Sequence, residues 1–167
     1  MNGAHRRLVE VLVRRDPGNV LYGAVVTAGV LAAVSAEISH VHRVALGVGA
    51  SLLAYWLAHV YTATQAMLFD GHRGSLPRRF GSAAGEEAGI LVGGVPAVVV
   101  YLAGHDLVEL SASDAAFCAL WFSVGFLFLI GYLGAHRAGI RGWWLLVESI
   151  GAASLGVLAV AVKFLLH

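Results

Sequence analysis

The chain has 167 residues, of which 59% are hydrophobic and 13% charged, with a formal net charge of +1. An ordinary soluble domain carries about 25% charged residues, so this chain lacks the polar surface that a soluble fold of its size needs, and its apolar content excludes disorder. No polar stretch is long enough for a second soluble domain, and the near-neutral balance excludes a general polyanion-binding field.

The expectation is a single all-α transmembrane domain. A helix needs ~20 mainly apolar residues to cross the hydrocarbon layer, and five segments qualify: residues 17–38, 44–65, 82–104, 115–135 and 142–166. Ahead of them, residues 5–15 read as a short amphipathic helix on the membrane interface, with Leu8, Val11 and Leu12 on one face and arginines beside it. Asp16-Pro17 gives the first span an N-cap acceptor followed by proline at N1, and Ser113-Asp114 serves the fourth in a similar way. Val34-Ser35-Ala36 fits the small-residue rule for signal-peptide cleavage, but the long leading region with Glu10, Asp16 and Pro17 argues for retention.

The arginines set an orientation. Arg6, Arg7, Arg14 and Arg15 precede the first span, Arg73, Arg78 and Arg79 lie between the second and third, and Arg137 and Arg141 lie between the fourth and fifth. Only Arg43 and Lys163, the single lysine, fall at the other end. Basic short loops stay cytoplasmic, which predicts the N-terminus inside and the C-terminus outside a bacterial inner membrane. The loop from His105 to Asp114 is acidic, with Asp106, Glu109 and Asp114, and suits the outer side.

Close helix packing in lipid uses small residues. Gly85, Gly89, Gly93 and Ala97 recur every four residues in the third span, which is therefore expected to be central, with a kink at Pro96. Ala24, Ala28, Ala32 and Ala36 form a similar stripe in the first span. The fourth span carries Phe117, Trp121, Phe122, Phe126, Phe128 and Tyr132 all round, and is expected to be peripheral.

The candidate chemistry is titratable. Glu148 is followed by only 14 uncharged residues before Lys163, too few to span, so if the fifth helix crosses, Glu148 must enter the membrane ~9 Å past Gly142. An acid at that depth normally faces the bundle interior, a partner or water, and the blander reading is pairing with Arg141 near the interface. In the second span Ser51, Tyr55, His59 and Thr62 share one face. Glu86 and Glu87 open the third span, where the helix dipole favours acids. The predicted topology puts His59, Glu148 and one of Glu86 and Glu87 at similar depth in the inner leaflet, as a candidate ion or proton pathway with Tyr55 and Thr62. At the other end Glu37 and His40 form a Glu-x-x-His step that His105, Asp106 and Glu109 could complete as a divalent-cation site; a solvated loop is the plainer alternative.

Other chemistries lack their residues. There is no P-loop, no Gly-x-Ser-x-Gly elbow and no His-Glu-x-x-His. The one cysteine, Cys118, excludes an intrachain disulfide and a Cys-based zinc site. Gly49-Ala50-Ser51 is similar to the serine motif of rhomboid proteases, but His59 on the same helix lies ~12 Å away along the axis, too far to act as its base. No cofactor is expected, and no nucleic acid partner.

The stretch Tyr55-Trp56-Leu57-Ala58-His59-Val60-Tyr61, the segment Gly131-Tyr132-Leu133-Gly134 and the ending Val162-Lys163-Phe164-Leu165-Leu166-His167 resemble a group of small multi-pass bacterial membrane proteins without assigned function. That resemblance implies no activity. The closing helix is also similar to that of vacuolar-iron-transporter-like proteins, whose metal-binding acidic segment this chain lacks, so no metal residues follow from it. The favoured expectation is proton or small-cation conduction, transport or sensing through the inner-leaflet His/Glu cluster. The alternative is a non-catalytic accessory module that binds a partner membrane protein, or a second copy, through small-residue helix faces. An intramembrane enzyme has the least support.

Overall fold

The computed structural model describes residues 17–37, 40–69 and 74–166. Six helices cover most of them, and no strand occurs among the described residues: α1 (Pro17–Glu37), α2 (Val41–Phe69), α3 (Leu76–Glu86), α4 (Gly89–Asp106), α5 (Ala112–Arg137) and α6 (Trp143–Leu166). All but α3 are long and apolar enough to cross a membrane. Large apolar side chains cover much of the outer surface, Leu53, Val99, Trp121 and Leu158 among them, as an apolar solvent permits. The chain is an all-α bundle of five such helices. The amphipathic segment expected at residues 5–15 lies outside the described residues.

Helix ends follow local chemistry. The hydroxyl of Ser111, not Ser113, caps α5: Ser111 Oγ accepts from the Asp114 N–H at 3.2 Å and donates to Asp114 Oδ2 at 2.6 Å. The Ser111 hydroxyl thus serves both the backbone N–H and the carboxylate of Asp114, at the spacing of a capping box, and the helix starts three residues before the expected point. At its other end, Gly139 takes φ +80° and the Ile140 N–H reaches back to the Ala135 carbonyl at 3.0 Å. That Schellman closure turns the chain sharply into α6. His136 and Arg137 in the last turn complement the dipole.

The third span departs from expectation. Residues 82–104 do not form one helix: α3 ends at Glu86, Glu87 caps it, and α4 starts at Gly89. The helix α3 is itself amphipathic. Arg78 and Arg79 lie on it with Leu76 and Phe80 exposed and Ala83 buried, and Arg79 donates to the carbonyls of Gly74 at 3.1 Å and Thr64 at 3.4 Å. The helix α4 runs from Gly89 to Asp106 with Pro96 inside it.

The central helix is α1, not the third span. It packs against α2, α4, α5 and α6, and its Ala24, Ala28 and Ala32 are buried, as the alanine stripe predicts. Where α1 crosses α4 the contact is backbone on backbone. A Cβ on Gly23 would collide with the Ile90 carbonyl, and one on Gly93 with the Val20 carbonyl. Gly85, in the same stripe by sequence, faces open space. The fourth span is not peripheral: α5 packs on α1, α4 and α6 through Ala115, Ala116, Ala119 and Leu120 while Trp121, Phe122, Phe128 and Tyr132 point out. Small and bulky residues are thus sorted to opposite sides of one helix.

Candidate functional site

The first two turns of α1 organise one end of the bundle. Residues three apart share a helix face, so Asn19 and Tyr22 point one way while Gly18 and Leu21 point another. On the first face Asn19 Nδ2 donates to Glu87 Oε2 at 3.0 Å. The Tyr22 ring lies 5.1 Å from Tyr55 and 5.4 Å from His59, and Tyr55 and His59 are 4.7 Å apart. His59 Nδ1 sits 3.2 Å from the Tyr55 carbonyl. A carbonyl only accepts, so this contact puts the hydrogen on Nδ1 and leaves Nε2 bare in the neutral ring. Thr62 spends its hydroxyl on the His59 carbonyl at 2.9 Å and is exposed, so the expected polar line is reduced to the half-buried Tyr55 and His59.

The second face of α1 borders a cleft of about 540 Å³ between α1, α5 and α6. Pro17, Gly18 and Leu21 form one wall, Gly131, Gly134 and Ala135 a second, and Glu148, Gly151 and Leu155 a third. Glu148 makes no hydrogen bond or ion pair among the described residues, so the expected alternative of pairing with Arg141 is not formed. Gly134 and Gly151 have no atom within 4 Å of where a Cβ would stand.

The expected His59/Glu148 cluster is therefore not assembled. His59, Glu87 and Glu148 all flank the first turns of α1. They do so from different sides, with α1 standing between the aromatic trio and the carboxylate. Glu86 is turned away, exposed, and accepts from Ser82 at 3.1 Å. The two acids do not open a helix, as expected from the dipole, but sit at the α3–α4 junction.

At the opposite end, no group of three or more His, Cys, Asp or Glu among the described residues is arranged to hold a metal ion. The set Glu37, His40, His105 and Asp106 is not gathered. His40 and His105 instead line a second cleft of about 440 Å³ with Val41, His42, Arg43 and Ala112, and neither Glu37 nor Asp106 takes part. The rings of His42 and His105 meet edge-on at 6.4 Å.

Sequence reasoning missed Lys163. It was counted as a terminal charge, yet its side chain is fully buried. The ammonium donates to Ser35 Oγ at 2.9 Å and lies 5.0 Å from the centre of the Phe117 ring, so α6 is tied to α1 and α5 by one cation. Its only legible signal was its singularity. A lysine near a helix end ordinarily snorkels outward, and nothing in the residue pattern says that this one turns in. The chain matches no protein-family model, and neither the curated proteins nor the solved structures yield a match.

Proposed function

We propose that this protein is a non-catalytic membrane module that docks a transmembrane helix of a partner in the cleft beside Glu148. One observation carries the reading: an open cleft with two glycines, Gly134 and Gly151, that meet nothing inside the bundle, beside a carboxylate that has no partner. Small residues let helix backbones approach closely in lipid, and an intramembrane acid is retained where something compensates its charge. A helix bearing a basic or hydrogen-bonding side chain at matching depth satisfies both. The excess of arginine near this end supports a cytoplasmic position for it under the positive-inside rule; a reporter fused after residue 138 tests that orientation.

Filling the cleft tests the docking. Gly151→Leu projects into space that the bundle itself leaves empty, so thermal stability in detergent should change by less than about 1 kcal/mol. In gently solubilised native membranes, wild-type protein should migrate as a complex larger than the monomer and Gly151→Leu as the monomer. Wild-type protein that migrates as a monomer contradicts the docking reading.

The proton or cation reading keeps one supporting observation, the common depth of His59, Glu87 and Glu148 around α1. It needs a water chain past α1. Purified protein in liposomes should then pass protons, and Glu148→Gln should abolish the flux; no flux at any pH or potential removes this reading.

A further inference from the structure

The cleft at the far end of the bundle has a chemistry of its own. Of its six lining residues, four are His40, His42, Arg43 and His105, and no carboxylate is among them. The acids of this end are turned to other work or to solvent: Asp114 is held by Ser111 at the start of α5, while Glu37, Asp106 and Glu109 are exposed. The Arg43 side chain is exposed and makes no hydrogen bond or ion pair among the described residues. A guanidinium that is not used internally keeps all five N–H donors for a ligand.

Two histidines border the same space. His105 Nδ1 lies 2.9 Å from the Leu110 carbonyl, which can only accept, so Nδ1 carries hydrogen and the ring is anchored with Nε2 on its free edge. His42 meets His105 edge-on from α2. The rings do not converge on a point that could hold a metal. The start of α2 contributes as well, since the N–H groups of Val41 and His42 fall in its first turn, where no intrahelical acceptor exists.

The geometry points to an anion site of phosphate class in this cleft, with Arg43 as the fixed charge, His42 as a flanking donor beside the anchored His105 ring, and the free N–H groups of the opening turn of α2. Arginine's planar fork fits two phosphate oxygens at once, which a point charge does not. The same chemistry is offered by the headgroup of an anionic phospholipid and by free phosphate. The position at a helix-bundle end, level with the end of α1 and the start of α5, makes either accessible.

The test uses full-length protein in detergent with two probes, inorganic phosphate and short-chain phosphatidylglycerol, read by thermal shift and by native mass spectrometry. A ligand that binds only the folded state raises the unfolding temperature. At least one probe should do so. Protection by inorganic phosphate identifies a free anion as sufficient; protection by the lipid alone identifies the headgroup. Arg43→Gln should weaken the binding about tenfold, as expected for loss of a charge-assisted pair, and His42→Gln should weaken it less. Both side chains are exposed, so each variant should unfold at the wild-type temperature when no probe is present. Arg141→Gln, at the opposite end, should bind as wild type does. Absence of protection by both probes overturns the proposal, and so does equal binding by wild type and Arg43→Gln, or equal weakening by Arg141→Gln.

Discussion

Lys163 is a fully buried cation held by one hydroxyl and one aromatic face. A buried ammonium costs several kcal/mol of desolvation, which one hydroxyl and one aromatic face offset only in part. Replacing such a charge with an apolar side chain of similar length is often neutral or stabilising, whereas removing its partner is not. Lys163→Met should therefore match or exceed wild-type thermal stability in detergent. Ser35→Ala should lower it by about 1–3 kcal/mol, because the ammonium then loses its hydrogen bond while still buried. The reverse order of the two variants would mean that the lysine contributes net stability. Glu148 shows the other side of residue-scale inference. Its place inside a helix long and apolar enough to span was legible because a 14-residue run is too short to span by itself. Its direction was not, because depth along a helix is one coordinate and rotation about the axis is another. The same gap separated His59 from Glu148: spacing placed each on its own helix, and only the packing of α1 between them decides that they do not meet.

At the scale of elements, α1 and α4 make the closest contact in the bundle. The collisions that a Cβ would cause at Gly23 and Gly93 are with backbone carbonyls, which cannot rotate away. Gly93→Ala and Gly23→Ala should each destabilise the bundle by about 3 kcal/mol or more, the upper range of overpacking costs. Gly85→Ala should be neutral or slightly stabilising through helix propensity. Thermal unfolding of the three variants side by side checks this, and equal tolerance would mean that the two helices are not in backbone contact. The five spans were legible because hydrocarbon thickness is a demand on a whole run of residues, insensitive to detail. The break at Glu87–Ala88 was not. A period of four runs through Gly85, Gly89 and Gly93 alike, and a turn between two helices leaves that period unchanged. The start of α5 was misplaced by three residues although Ser111 and Asp114 stand at capping-box spacing, the signal that locates it. The aromatic side chains of the fourth span pointed to a lipid-facing helix, yet alanines at 115, 116 and 119 were sufficient to seat its other face in the core.

For the whole molecule, the two ends differ in chemistry. One carries Arg78, Arg79 and Arg137, the aromatic trio of Tyr22, Tyr55 and His59, and the cleft beside Glu148; the other carries the His40–Arg43 cleft and the buried Lys163. Between them the core is largely alanine, valine and leucine; the buried hydroxyls of Thr64, Ser123 and Ser149 bond within their own helices, whereas Thr27 Oγ1 and Tyr101 OH are buried without a hydrogen-bond partner among the described residues. The most direct test is site-specific photo-crosslinking in native membranes, with a photoreactive residue at Leu155 in the cleft and, as the lipid-facing control, at Val99. The docking account predicts a discrete protein adduct from position 155 that is lost in Glu148→Lys and absent from position 99. Adducts to lipid alone at both positions, or the same protein adduct with and without Glu148, would contradict it.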